Sequence, residues 1–496
     1  MPQSMSKRRV GRAVAAAVAV VAAVTTPVAA HAVSAAPSVT EKKLRDDFNG
    51  DGYQDLAVAA PRGKVDGRAQ AGYVAVVYGS AKGLDLTHKQ VISQNTPGIP
   101  GAAETNDDYG DGLAAGDLDG DGYADLVVGA PGESVGEVTR AGTLAVLWGG
   151  KRGLSGGTAV ATGTEQDRVD AETPALGDFD GDGRLDLATG TRLLSGPFDR
   201  TTGAAKSRTL AIEPAYVTDD VAAGDVDHDG ITDLVALIHD VSDDDMHDPD
   251  YRHRRAVFLR GTHDGLSAPV PVNNPDGTRM RGGESLGVGD VDKDGYADLV
   301  IGRPNDGFGE ADLDDPLLKG GQIGVVHGSA DGPDTSRTAI ITQETPGVPG
   351  SSEWSDGFGG GISVGDVNAD GHADVSTGSA SEDLGEVYAA GQVTVLRGGR
   401  SGLTGNGAYS ISQNTRNVPG TAERNDFFGA DTNLLDVNGD GRAELFTGAT
   451  GENRDGGVWA FPNPVNTPTA TGSVGFGAGT LGTVRSGSSL GRGFAR

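Results

Sequence analysis

The chain has 496 residues, with 81 Gly, no Cys and a formal charge of -30. The lack of Cys excludes a disulfide scaffold, a thiol nucleophile and a Cys-ligated zinc site, and the acidic balance argues against nucleic acid as a partner. The acid is unevenly made, 54 Asp against 16 Glu, and aromatics are only 5% of the chain; both favour many turns and thin strands over a bulky helical core.

In chain order the first element is an address. Lys7, Arg8, Arg9 and Arg12 precede an apolar run from Ala13 to Val24, followed by Pro27 and Ala30-His31-Ala32. That is the pattern of a secretory signal peptide cleaved after Ala32 or Ala36, and the run is too short to span a bilayer. Residues 1–36 are therefore read as signal peptide and short leader. Residues 37–496 are read as one secreted, extracellular, monomeric domain with no membrane span.

Beyond the leader, one nine-residue pattern recurs seven times, D-x-[DN]-x-D-G-x-x-[DE], starting at Asp47, Asp117, Asp178, Asp225, Asp290, Asp366 and Asp436. Calcium takes six to eight oxygens from carboxylates, carbonyls and water. Positions 1, 3 and 5 supply short acidic or amide arms, position 7 a backbone carbonyl, and position 9 a closing carboxylate. Loop 1 offers Asp47, Asn49, Asp51, Tyr53 and Asp55, and loop 2 Asp117, Asp119, Asp121, Tyr123 and Asp125. Loop 3 offers Asp178, Asp180, Asp182, Arg184 and Asp186, and loop 4 Asp225, Asp227, Asp229, Ile231 and Asp233. Loop 5 offers Asp290, Asp292, Asp294, Tyr296 and Asp298, and loop 6 Asp366, Asn368, Asp370, His372 and Asp374. Loop 7 offers Asp436, Asn438, Asp440, Arg442 and Glu444. Up to seven Ca²⁺ ions are expected, one per loop. An EF-hand needs a Glu at position 12 and flanking helices. Position 12 here is Val58, Val128, Thr189, Ala236, Ile301, Thr377 or Thr447, and the flanks carry the β-branched runs of strands. Lys293 and His228, at position 4, are expected to point outward.

Other elements repeat around the loops. A Gly-punctuated strand precedes them, as in YGDGLAAGD from Tyr109, FGGGISVGD from Phe358 and FGADTNLLD from Phe428. A second strand follows, ending in Gly-Ala-Pro (129–131) or Gly-Arg-Pro (302–304). A third reads AGYVAVVYG from Ala71, AGTLAVLWG from Ala141, GGQIGVVHG from Gly320 and AGQVTVLRG from Ala390. A fourth, edge strand is expected to carry ISQNTPGIPG from Ile92, ITQETPGVPG from Ile341 and ISQNTRNVPG from Ile411. Four short antiparallel strands per unit make a propeller blade, so the expected fold is all-β: a seven-bladed β-propeller of four-stranded antiparallel blades. These residues resemble the FG-GAP repeats of the integrin-α N-terminal β-propeller, a resemblance that implies calcium in the Asp-rich loops.

Loop 1 lacks the aromatic-Gly strand that should precede it. Elsewhere a Pro-Gly glycine is followed nine residues later by the aromatic-Gly glycine: Gly101 to Gly110, Gly350 to Gly359, Gly420 to Gly429. Gly482 to Gly491 keeps that interval, so residues 490–496 are expected to supply the missing strand beside 44–60. Phe476-Gly477 then falls on an edge strand. Pairing of the N- and C-terminal segments closes the ring and removes two open sheet edges.

Weaker features remain. The His- and Asp-rich segment 239–255 and the acidic segment 309–316 read as solvated insertions, and Trp148, Trp354 and Tyr109 as packed residues. No H-E-x-x-H or P-loop occurs, so no catalytic residue is assigned and a non-enzymatic role is expected. The expected function is that of an extracellular binding or adhesion module for a protein or glycan. The alternative is a secreted propeller hydrolase or polysaccharide lyase with its site at the axis.

Overall fold

A computed structural model describes residues 44–496 except 166, 205, 211, 213–215, 241–253, 279, 305–318, 463 and 465–469. The signal peptide and leader, the 309–316 segment and most of the 239–255 insertion lie outside the described residues.

Short apolar runs of Val, Leu, Ile and Ala between Gly-rich turns form strands, and each run meets its sequence neighbour antiparallel. Blade 2 shows the plan: β4 (Leu113–Gly116), β5 (Asp125–Ala130), β6 (Thr143–Leu147) and β7 (Gly157–Thr162) meander in order. Blade 1 contributes β1 (Leu56–Ala60), β2 (Tyr73–Val77) and β3 (Lys89–Ile92). Blade 3 is built from β8 (Ala175–Gly177), β9 (Asp186–Ala188), β10 (Arg192–Ser195) and β11 (Lys206–Thr209). Blade 4 has β12 (Tyr216–Gly224), β13 (Asp233–Asp240), β14 (Arg255–Leu259) and β15 (Val270–Pro271). Blade 5 has β16 (Ser285–Gly289), β17 (Asp298–Arg303), β18 (Gln322–His327) and β19 (Asp334–Ile341). Blade 6 has β20 (Gly360–Gly365), β21 (Asp374–Ser379), β22 (Gln392–Arg397) and β23 (Thr404–Ile411). Blade 7 has β24 (Phe428–Leu435), β25 (Glu444–Ala449), β26 (Gly457–Phe461) and β27 (Val474–Gly477).

Second strands are buried along their whole length, as in β1 and β5, because a sheet packs on each face; this is why they read as continuous apolar runs rather than alternating ones. Apolar side chains gather into clusters that each join two adjacent sheets, such as Val76 and Phe48 of blade 1 with Tyr109 and Leu126 of blade 2. Another joins blade 7 to blade 1 through Phe446, Val458, Leu56 and Val58, with Leu490 and Phe494 between them.

The seam forms as the nine-residue interval predicts. Phe494 bridges Val58 antiparallel, and the Ala59 amide donates to Gly493 O at 2.8 Å. The Gly491 amide donates to Ala59 O at 3.1 Å, and the Ala495 amide to Ala57 O at 3.2 Å. Gly491 stands where Gly110, Gly359 and Gly429 stand, all at positive φ (86°, 95°, 104° and 94°). A Cβ on Gly448 would lie 1.8 Å from Gly491 O, as one on Gly378 would from Gly429 O. Bare backbone contact at these points lets one blade seat against the next. Leu490 takes the buried place of Tyr109, Phe358 and Phe428.

Two expectations are corrected. The ISQNTPG-type segments are not edge strands: β3, β19 and β23 end at Ile92, Ile341 and Ile411. Beyond them the Thr side chain draws the chain into a turn, its hydroxyl accepting from the Ser93, Thr342 and Ser412 amides at 3.0 Å. Trp354 is not packed but 62% exposed, whereas Trp148 and Tyr109 are buried.

Candidate metal-binding loops

Each nine-residue loop joins the innermost strand of a blade to its second strand, so all seven open on the same side of the ring. The local fold follows from short acidic side chains that bond their own backbone. In every loop the position-1 carboxylate accepts the glycine amide of position 6, from Gly52 to Asp47 at 2.8 Å through Gly441 to Asp436 at 2.9 Å. Position 3 accepts the amide of position 5, as from Asp121 to Asp119 at 3.2 Å and from Asp370 to Asn368 at 2.8 Å. Position 5 accepts the amide of position 7, as from Tyr53 to Asp51 at 3.1 Å and from Arg442 to Asp440 at 3.0 Å. The position-6 glycines have φ between 82° and 96°, and in most loops a Cβ there would meet nothing within 4 Å; backbone conformation rather than space demands glycine.

Position 9 is a buried strut. One oxygen accepts the position-2 amide in all seven loops, from Phe48 to Asp55 at 2.9 Å through Val437 to Glu444 at 2.9 Å. In six, the other oxygen accepts a glycine amide just past the third strand, Gly79, Gly149, Gly196, Gly261, Gly328 or Gly398. In loop 7, Glu444 uses its other oxygen on the Asn438 amide group. Burial pushes Asp55 and Glu444 up to about 8, Asp125 to about 7, and Asp186 and Asp233 to about 6. Carboxyls so placed favour a proton until a cation stands beside them.

The donor set fits a hard cation. Oxygens of Asp117, Asp119 and Asp125 lie within 4.8 Å of one another, as do those of Asp178, Asp180 and Asp182, of Asp225, Asp227 and Asp229, and of Asp290, Asp292 and Asp294. Loops 1, 6 and 7 carry Asn at position 3 and make the same internal bonds. At position 7, Tyr53, Tyr123, Ile231 and Tyr296 lie against position 4 of the preceding loop, at Gly439, Gly50, Gly181 and His228; Arg184 and Arg442 instead lie 3.5 and 4.0 Å from the position-5 carboxylate, and His372 Nδ1 is 3.1 Å from Asp370.

Several residues at the loops have no counterpart in the nine-residue pattern. Arg200 reaches Asp119 and Asp121 at 2.5 Å each, and Arg337 reaches Asp292 at 2.5 Å and Asp294 at 3.1 Å, each guanidinium bridging positions 3 and 5. Arg260 meets Asp227 at 2.7 Å, Arg397 meets Asp374 at 3.1 Å, and His327 meets Asp298 and Asp292 at 3.1 and 3.3 Å. The last three share a register, the residue before the glycine that follows the third strand, and the strings FLRG, VVHG and VLRG carry that signal. Arg200 and Arg337 have no local signature. Position 4 was also legible: it has positive φ in all seven loops, at Gly50, Gly120, Gly181, His228, Lys293, Ala369 and Gly439. Lys293 points outward as expected and donates to Asp370 O of the next loop at 2.7 Å, while the His228 ring meets Tyr296 edge-on at 5.8 Å.

Successive loops are also tied by backbone. The position-8 amides of Ala124, Thr232, Ala297, Ala373 and Ala443 donate to the position-1 carbonyls of the preceding loops, Asp47, Asp178, Asp225, Asp290 and Asp366, at 2.8–3.1 Å. On the opposite face a cavity of about 490 Å³ opens at the axis, lined by Asp111, Glu172, Asp219, Asp220, Asp431, Arg492 and Arg496 among others. Arg496 lies 2.5 Å from Asp431 and 3.7 Å from Asp220, and burial raises Asp220 to about 6 against the lowering effect of Arg496. No helix among the described residues is long and apolar enough to cross a membrane.

Comparison with known proteins returns the same repeat. Residues 46–77, 109–147, 282–314, 358–396 and 428–461 match the FG-GAP repeat family. The chain is 35% identical over 154 residues to the Mus musculus phosphatidylinositol-glycan-specific phospholipase D, covering 31% of this chain and 17% of that protein. It is 41% identical over 96 residues to Mus musculus integrin alpha-IIb, covering 19% and 8%. These matches span less than a fifth of either relative. Among solved structures, the Bacillus licheniformis rhamnogalacturonan lyase PL11 overlays at a TM-score of 0.32 and 14% identity, covering 76% of this chain and 69% of that one. Repeat matches, sheet topology and loop geometry agree: the chain is a propeller of seven four-stranded blades that carries FG-GAP repeats in five of them, consistent with an integrin-like FG-GAP propeller.

Proposed function

We propose that this protein is a calcium-binding extracellular propeller that serves as a binding module for a protein or glycan, presented on the face opposite the coordination loops. The observation that carries the reading is the repeated donor set: in all seven loops the side chains at positions 1, 3 and 5 each spend a bond inside the loop, and in loops 3, 4 and 5 their carboxylate oxygens lie within 4.8 Å of one another, as do those of positions 1, 3 and 9 in loop 2. That chemistry suits a hard divalent cation. Calcium in this reading stiffens the scaffold, leaving recognition to the other face and its axial cavity. The basic and apolar segment 7–24 supports export to a calcium-rich medium.

A second reading, a hydrolase or polysaccharide lyase, is favoured by one observation: Asp220, raised to about 6, shares the axial cavity with Arg496 and Asp431, a setting suited to proton transfer near neutral pH. One experiment separates them. Glycan and protein arrays probed with the mature chain, with calcium and with chelator, should show a calcium-dependent ligand and no product. Turnover of a polysaccharide, abolished by Asp220→Asn, would overturn the binding reading. A melting temperature unmoved by chelator would overturn the calcium reading, since a cation bound only by the folded state adds stability by mass action.

A further inference from the structure

Loop 5 differs from the other six in the residue that leans over it from the end of the third strand. At this register blades 1 and 2 carry Tyr78 and Trp148, whose polar atoms bond elsewhere, to Gln90 and to Thr158. Blades 4 and 6 carry Arg260 and Arg397, permanent cations that rest on loop carboxylates. Blade 5 alone among these places an imidazole. His327 is 7% exposed, and the two carboxylates it faces, Asp292 and Asp298, are 8% and 0% exposed. One nitrogen and two oxygens thus lie within 4.8 Å of one another in a buried pocket.

We infer that His327, Asp292 and Asp298 form a mixed nitrogen–oxygen site selective for a first-row transition cation such as Zn²⁺ or Mn²⁺, distinct in chemistry from the all-oxygen loops. Three features point the same way. The Nδ1 of His327 stands 3.1 Å from Asp298 Oδ1 and 3.3 Å from Asp292 Oδ2. Ligands held roughly 2.0–2.1 Å from one ion are separated by about this much. The other oxygen of Asp298, Oδ2, is held by the Val291 amide at 2.9 Å, the outer partner that a ligating carboxylate needs, while Arg337, 2.5 Å from the Asp292 oxygen that faces His327, gives way to the ion. The imidazole is also held in place from behind, because a Cβ on Gly402 of the next blade would come within 2.8–2.9 Å of its Cε1 and Nε2. Imidazole nitrogen favours zinc, copper, nickel and their neighbours over calcium, which prefers oxygen alone.

This inference rests on the reading that the loops hold divalent cations, and the experiment keeps the two apart. Full-length protein stripped with chelator is loaded with excess Ca²⁺ and titrated with Co²⁺, followed by visible absorption, with Zn²⁺ competition read by calorimetry. One equivalent of Co²⁺ should bind with a nitrogen-bearing ligand-field spectrum, resist Ca²⁺ and be displaced by Zn²⁺. His327→Ala should weaken that equivalent at least tenfold and leave Ca²⁺ uptake elsewhere unchanged. His327→Arg, which installs the residue that blades 4 and 6 already accommodate, guards against misfolding and should give the same loss. A Co²⁺ signal identical in wild type and both variants, or none in wild type while Ca²⁺ still binds, overturns the site and spares the calcium reading. Failure of Ca²⁺ to bind at all overturns that reading first.

Discussion

Blades 3 and 4 and the arc formed by blades 6, 7, 1 and 2 solve the same packing problem differently. Around the arc each new blade begins on a buried aromatic or leucine followed by glycine, at Tyr109, Phe358, Phe428 and Leu490. Within it, and from blade 5 into blade 6, a glutamine also ties one blade to the next: Gln94 to Glu133 at 2.5 Å, Gln343 to Glu382 at 2.9 Å and Gln413 to Glu452 at 2.7 Å. Blades 3 and 4, which fall outside the matched FG-GAP segments, are joined by apolar clusters as well but begin on polar side chains that bond within the blade. At the start of blade 3, Asp170 accepts from the Gly190 and Glu172 amides. At the start of blade 4, Asp219 meets His239 at 2.9 Å and Arg254 at 3.6 Å. Yet loops 3 and 4 keep the four internal bonds common to all seven loops, and the backbone tie from one to the next. The coordination loop is the invariant of this ring, and the way a blade begins is what varies.

The comparison breaks most visibly at the seam. Deleting residues 488–496 uncovers blades 7 and 1 and strips Leu490 and Phe494 from their cluster, a loss of at least about 4 kcal/mol from the two side chains alone. Differential scanning calorimetry should show a lower, broadened transition; an unchanged melt would mean that the seam contributes nothing. Next in size is the loop itself. If loops are equivalent across the two regions, Asp225→Ala in blade 4 and Asp117→Ala in blade 2 should each abolish one calcium equivalent. Each should lower stability in saturating calcium by a similar amount, about 2–3 kcal/mol at a hundredfold excess over Kd. A much smaller effect at Asp225 would mean that the varied arc has ceased to use its loop. A pH-dependent effect, confined to one side chain, concerns the glutamine ties. Burial raises Glu382 from 4.5 to about 7, so the folded state holds a proton that the unfolded chain releases. Its contribution is therefore fully present below about pH 4.5 and is lost as pH rises toward 7. Glu382→Gln should flatten that slope in urea titrations, and a slope unchanged by the substitution would remove Glu382 as its source.

Much of this was legible in sequence because it is local. A nine-residue motif carries its own hydrogen bonds, so its seven copies announce both loops and blades. Gly491 was placed by an interval rather than by its neighbours, since Leu490 does not look like the phenylalanine it replaces; what the position demands is a buried apolar side chain followed by a residue at positive φ. What escaped is tertiary. Arg200 lies 81 residues from Asp119 and Arg337 45 from Asp292, and no pattern links them. Trp354 misled because a tryptophan in a Gly-rich stretch reads as core, whereas the turn carrying it, with Ser355 at positive φ, lifts it into solvent.

The composite blade has a mechanical consequence. Six passages between blades are made by continuous chain, whereas the first strand of blade 1 is held to β1 by a few amide–carbonyl contacts around Ala57 and Ala59 and by the side chains beneath them. The ring is therefore a strip buttoned at one place. Pulled from its two ends in an optical trap, it should unfasten there first and then peel blade by blade, so the force at the first rip measures the button rather than the blades.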